Sequence, residues 1–77
     1  MSFMKYGIVI ERGARNCSAY VPDLPGCVAT GKTIEEARER IKEAIHLHID
    51  GMREDGDRIP EPRTICDVVD YTSRQPE

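Results

Sequence analysis

Ile34, Ala37, Ile41, Ala44, Ile45, His48, Ile49 and Met52 recur three and four residues apart, a spacing that gathers them into one stripe on one face of a helix. Such a run reads as a single long amphipathic helix, and it dominates a chain of only 77 residues. Thr33-Ile34-Glu35-Glu36 opens it with the pattern of a capping box: the Thr33 hydroxyl accepts from the Glu36 amide, while the Glu36 carboxylate reaches back to the Thr33 amide. Glu36 and Arg40, like Glu35 and Arg38, are spaced for ion pairs on the opposite face. The helix is expected to end near Asp55, with Gly56 as the left-handed residue beyond it. Gly51, inside the run, marks either a close contact or a fraying end.

Ahead of the helix the period changes to two. Met4, Tyr6, Ile8 and Ile10 alternate with Lys5, Gly7, Val9 and Glu11, which predicts a strand from Phe3 to Glu11 with one face against a core. Residues 12–16 suit a hairpin connection, and Cys17, Ala19 and Val21 alternate with Ser18 and Tyr20 in a second strand. Pro22-Asp23-Leu24-Pro25-Gly26 must interrupt it, because proline donates no ladder hydrogen bond. Pro25-Gly26 fits the centre of a type II turn, in which Gly26 takes a positive φ. Cys27 to Thr30 then reads as a third strand ended by Gly31. After the helix, Ile59-Pro60-Glu61-Pro62 is an extended connector, Thr64 to Tyr71 a last strand, and residues 72–77 a loose tail.

The order strand, strand, strand, helix, strand defines an α+β domain, a small antiparallel sheet with one helix packed on one face. One helix covers one face. The other, carrying Lys5, Val9, Ser18 or Tyr20 according to register, is mixed enough to meet water and apolar enough to meet another protomer, and the sheet's edges are open to β-augmentation. A homo-oligomer, dimer or tetramer, is expected on these grounds.

Composition narrows the function. A domain of this size buries only roughly 60% of the surface its unfolded chain exposes, so its core is thin. The net charge is −3, from 11 Lys and Arg against 14 Asp and Glu, without a basic cluster; direct nucleic-acid binding by this chain alone is disfavoured, and a mildly acidic surface suits a basic partner. Cys17, Cys27 and Cys66 include no Cys-x-x-Cys pair and read as buried free thiols in a reducing compartment. No apolar run approaches the roughly 20 residues that span a bilayer, and the N-terminus lacks the pattern of a signal peptide. No membrane association is expected and the localisation expected is cytoplasmic.

The segment Tyr20-Val21-Pro22-Asp23-Leu24-Pro25-Gly26-Cys27, followed by Thr30-Gly31-Lys32-Thr33-Ile34-Glu35-Glu36-Ala37, resembles the HicB antitoxin family, in which a Pro-Asp-Leu-Pro-Gly-Cys turn precedes a Gly-x-Thr-x-x-Glu-Ala helix start. The likeness extends upstream to Tyr6 and Ile8 to Glu11, and downstream to Glu43-Ala44 and the Gly56, Pro60 and Pro62 connector. It implies a partial RNase H-like fold and a partner, a HicA-type toxin, which is a small basic ribonuclease that cleaves messenger RNA and whose catalytic surface the antitoxin masks. Family members often carry a C-terminal helix-turn-helix or ribbon-helix-helix; residues 72–77 are too few for either, so a single domain over residues 1–77 is expected, with no separate DNA-binding domain. Solitary members also exist, which leaves an orphan domain as a further reading.

Glu11, Asp23, Glu36 and Glu43 have a functional reading as an RNase H-like carboxylate cluster holding magnesium for weak nuclease activity. The structural alternative outweighs it: Glu11 at a strand end, Asp23 ordering the turn, Glu36 capping and Glu43 in solvent. His46 and His48 lie roughly 200° apart around the helix and cannot chelate one metal as an i, i+4 pair does. Cys27 reads as a packed thiol rather than a nucleophile. Neither metal nor cofactor is expected, and the chain is read as a binding protein rather than an enzyme. The candidate protein-binding residues are Tyr20, Asp23, Leu24, Pro25 and Cys27; the Pro22 to Gly26 loop serves either as a tight bend or as a recognition surface with Leu24 as its apolar anchor.

Overall fold

The structure, a computed structural model, describes residues 4–73. Three strands, β1 (Val9–Arg12), β2 (Cys17–Tyr20) and β3 (Val28–Gly31), precede one helix, α1 (Ile34–Glu54). The sheet is antiparallel in the order β1-β2-β3, and α1 packs chiefly across β3 and β2, touching β1 least. This is the expected α+β arrangement of an antiparallel sheet with a helix on one face.

Register separates two faces. Ile10, Ala19 and Ala29 are paired across the sheet, as are Arg12, Cys17 and Gly31; Cys17 and Ala19 are buried in these rows, beneath the helix. The alternate rows, Val9-Tyr20-Val28 and Glu11-Ser18-Thr30, face away, as the period of two requires. The core is Cys17, Ala19, Val21, Leu24, Cys27, Ala37 and Ile41, with Tyr6, Ile8, Ile10, Ile34, Ala44, Ile45 and Ile49 packed around it. Every residue from α1 in that set belongs to the stripe read from its periodicity.

The helix begins at its expected cap: Thr33 is extended, and its hydroxyl accepts from the Glu36 amide at 3.0 Å. The return bond of the capping box goes elsewhere. Glu36 Oε1 accepts from the Lys32 amide at 2.6 Å, while Oε2 meets Arg40 at 3.3 Å, and Arg40 also donates to the Thr30 carbonyl at 3.2 Å. The carboxylate thus ties the strand-to-helix connection to the second turn of α1. At the other end Asp55 is the cap residue and Gly56 has φ 74°. Gly51 is exposed, and a Cβ there would meet nothing within 4 Å, so it marks no close contact. Gly31 does: a Cβ would lie 2.5 Å from the Ala37 amide nitrogen and 2.9 Å from the Glu36 carbonyl carbon. The absence of a side chain lets the end of β3 lie directly against the helix start.

Two strand expectations are corrected. β1 starts at Val9 rather than Phe3, which lies outside the described residues. Its partner runs out: Val9 pairs with Tyr20, the last residue of β2, after which the chain turns at Pro22. Residues 64–71 form no strand among the described residues. They run beside β1, where Cys66 Sγ donates to the Ile8 carbonyl at 3.3 Å, but the amides of Arg63 and Thr64 that would start a ladder are committed to Asp23. Residues 74–77 of the expected loose tail lie outside the described residues.

Candidate partner-binding site

The Pro22 to Gly26 loop is two turns in succession. The Leu24 amide donates to the Val21 carbonyl at 3.1 Å, the Cys27 amide to the Leu24 carbonyl at 3.0 Å, and the Val21 amide closes the loop on the Cys27 carbonyl at 3.2 Å. Gly26, with φ 85°, and Pro25 before it form the central pair of the second turn, the type II geometry expected of Pro-Gly. The backbone satisfies its own polar groups, which permits the loop to be partly buried.

Leu24 is accordingly 0% exposed and, with Ile41, one of the two largest fully buried side chains. It anchors the loop inward. Cys27 is buried as well, and burial pushes its thiol pKa up. Of the five candidate binding residues, these two are therefore corrected to core positions, inaccessible to a partner in this conformation. Tyr20 and Pro25 remain exposed and Asp23 is half-buried. Cys66, expected to be buried, is exposed.

Asp23 is the polar centre of the loop. Its Oδ2 accepts from the backbone amides of Arg63 at 2.8 Å and Thr64 at 2.9 Å, and its Oδ1 from the Thr64 hydroxyl at 2.9 Å. The amides of Thr64 and Arg63, chiefly, hold its pKa below the usual carboxylate range. A second tie lies nearby, where the Tyr6 hydroxyl donates to the Pro60 carbonyl at 2.5 Å; burial first, then the charges of Asp23 and Glu61, raise the Tyr6 pKa. Together they hold the proline-rich connector against the loop. Between them lies a shallow cleft lined by Pro22, Asp23, Pro25, Arg58, Pro60 and Arg63, among others. The sequence marked Asp23 as a turn residue; no local signal announced that it holds residues 63 and 64.

The second accessible surface is the open sheet face. Val28 is 65% exposed and Tyr20 41%, and they are directly paired across β2 and β3, with Val9 on the far side of Tyr20. This makes an apolar row across all three strands, flanked by the polar row Glu11-Ser18-Thr30. Glu11 lies on that row, Asp23 in the loop and Glu36 at the helix start; Glu43 and His46 are exposed and His48 half-buried. Among the described residues no three His, Cys, Asp or Glu side chains gather where they could hold a metal ion, and no helix is long and apolar enough to cross a membrane.

The described residues thus form an α+β unit with a buried core and an open sheet face crossed by an apolar row. Over residues 6–77 the chain matches the family described as HicB_like antitoxin of bacterial toxin-antitoxin system, and it belongs to that family. It is also 40% identical over 74 residues to an uncharacterized 14.9 kDa protein from the rep-hol intergenic region of Haemophilus phage HP1, covering 96% of this chain but 53% of that one. The chain thus spans about half the length of this phage relative. A UPF0150 protein of Helicobacter pylori is 44% identical over 52 residues, 68% of this chain and 72% of its own, and one from Archaeoglobus fulgidus is 42% identical over 59 residues, 73% and 86% respectively. The description of that family is of an antitoxin in a bacterial toxin-antitoxin system.

Proposed function

We propose that this chain neutralises a HicA-type toxin, a small basic ribonuclease that cleaves messenger RNA, by covering its catalytic surface, and that it does so without catalysis of its own. The match across residues 6–77 carries the reading. The net charge of −3 favours encounter with a basic partner, and the Val9-Tyr20-Val28 row with exposed Pro25 offers an apolar patch of the kind that proteins cover. We read the sheet-and-helix unit as partial RNase H-like, the setting as cytoplasmic, and the working form as a homo-oligomer.

Co-expression with a HicA-type toxin tests the proposal. Rescue of toxin-arrested growth and co-purification of the two chains are expected, both weakened by Tyr20→Ala and Val28→Ser. Failure to bind together with failure to rescue would leave an orphan domain as the better account. The metal-dependent nuclease reading predicts magnesium-dependent RNA cleavage lost in Asp23→Asn; purified chain is expected to show none.

A further inference from the structure

Residues 65–71 carry Ile65, Val68, Val69 and Tyr71 at 84–89% exposure, in a segment with no ladder partner among the described residues. Four large apolar side chains so close together are rarely left to water. The Cα radius of gyration is 15.7 Å and the long axis 58 Å, against a radius of roughly 11–12 Å for a compact chain of this length; residues 65–71, exposed along the flank of β1, form an arm on this elongated chain. It is held at its base, by Asp23 on Arg63 and Thr64 and by Cys66 on Ile8.

The same chain carries an open groove. Because α1 lies over β3 and β2, the side of the helix nearest β1 is incompletely covered, leaving a hollow of about 250 Å³ lined by Tyr6, Ile8, Ile41 and Ile45 with Arg38 and Lys42 at its rim. None of residues 64–71 lines it; the arm of the same chain flanks Ile8 to Ile10 from elsewhere, through Thr64 to Val68. Groove and arm are complementary in chemistry: an apolar floor with two cations, and an apolar arm interleaved with Asp67 and Asp70. Neither Arg38 nor Lys42 makes an ion pair or a side-chain hydrogen bond among the described residues. Seven extended residues span roughly 23 Å, ample for the helix rise of about 10 Å from Arg38 to Ile45.

We propose that the arm of residues 65–71 docks in this groove on a second copy of the chain, with Asp67 and Asp70 meeting Arg38 and Lys42. Each copy presents one arm and one groove, so a reciprocal exchange closes as a two-fold dimer in which every complementary surface is used. This inference rests on the homo-oligomer reading and supplies its surface.

Sedimentation equilibrium of the full chain provides the test. The wild type is expected to be a dimer, and Arg38→Glu with Lys42→Glu, or Val69→Asp with Tyr71→Asp, to raise its dissociation constant about tenfold or more, with circular dichroism confirming that each variant stays folded. Combining Arg38→Glu and Lys42→Glu with Asp67→Lys and Asp70→Lys restores the opposite charges and is expected to recover dimerisation. A wild-type dimer indifferent to all these changes overturns the arm-in-groove contact while leaving the homo-oligomer intact. A monomeric wild type overturns both. A groove that cross-links to the toxin instead of to Tyr71 of a second copy also overturns it.

Discussion

Asp23 and Thr64 are joined by two hydrogen bonds, the Asp23 carboxylate accepting from both the amide and the hydroxyl of a residue 41 positions away. With the Arg63 amide as a third donor, one turn residue sets where the connector stops and the arm begins. Because these donors stabilise the ionised form, the folded-state pKa lies below the unfolded value of about 4. The stabilisation is therefore fully present above pH 4 and lost as pH falls through the folded value. Protection of the Arg63 and Thr64 amides, measured against their intrinsic exchange rates, is expected to be high at neutral pH and to fall at acid pH. In Asp23→Asn, that acid-dependent step should disappear; its persistence would assign the latch to another group.

Leu24 and Pro25 are neighbours with opposite fates. Leu24→Ala empties a fully buried site and is expected to cost about 2–5 kcal/mol, read by urea denaturation. Pro25→Ala, at an exposed turn position, should change stability by less than about 1 kcal/mol. Equal losses in the two variants would contradict the inward placement of Leu24.

Gly31→Ala forces a methyl group towards the backbone of Glu36 and Ala37, which cannot give way as a flexible side chain can. About 1–3 kcal/mol of destabilisation is expected, a fall in Tm of several degrees or more in a domain of this size. Gly51→Ala meets nothing and improves helix propensity, so it should stabilise by up to about 1 kcal/mol. Thermal melts of the pair provide the comparison.

Thr33→Ala removes the hydroxyl that receives the Glu36 amide and is expected to cost about 1 kcal/mol. Thr33→Ser keeps the acceptor and should retain most of the stability. A similar loss in both would point to the methyl group rather than to the cap.

The cysteines should divide by reactivity. Cys66 is exposed, whereas Cys17 and Cys27 are buried, and burial raises the Cys27 pKa, which lowers its thiolate fraction. A chromogenic thiol reagent is expected to titrate one thiol rapidly in the native chain, and all three after unfolding. Rapid reaction of three in the native state would mean that the core opens readily.

Residues close together in sequence announced much of this architecture. The stripe from Ile34 to Met52, the Thr33 cap, the positive φ of Gly26 and Gly56, and the alternation through Cys17 and Ala19 all depend on neighbours a few positions apart, whose relative placement follows from helix and strand geometry. The return bond of Glu36 was less legible, because Lys32 competes with Thr33 for the same carboxylate and the bend after β3 decides between them. The candidate site was legible only in part. Tyr20 and Pro25 reach the surface as read, but Leu24 and Cys27 do not, since the same loop motif is compatible with an apolar side chain turned either way.

The sequence by itself determined the class of fold, one amphipathic helix on a small antiparallel sheet, and carried in its turn and helix start the residues that mark the family. Tertiary structure alone decided the inward turn of Leu24, the closeness of Gly31 to Ala37, the capture of Thr64 by Asp23 and the failure of residues 64–71 to join the sheet. The physical reason is one of range. Hydrogen bonds three or four residues apart are dictated by the chain's own geometry, whereas a carboxylate meeting an amide 41 residues away, or an arm finding a strand edge, depends on how whole elements pack and on which donors other groups have already claimed.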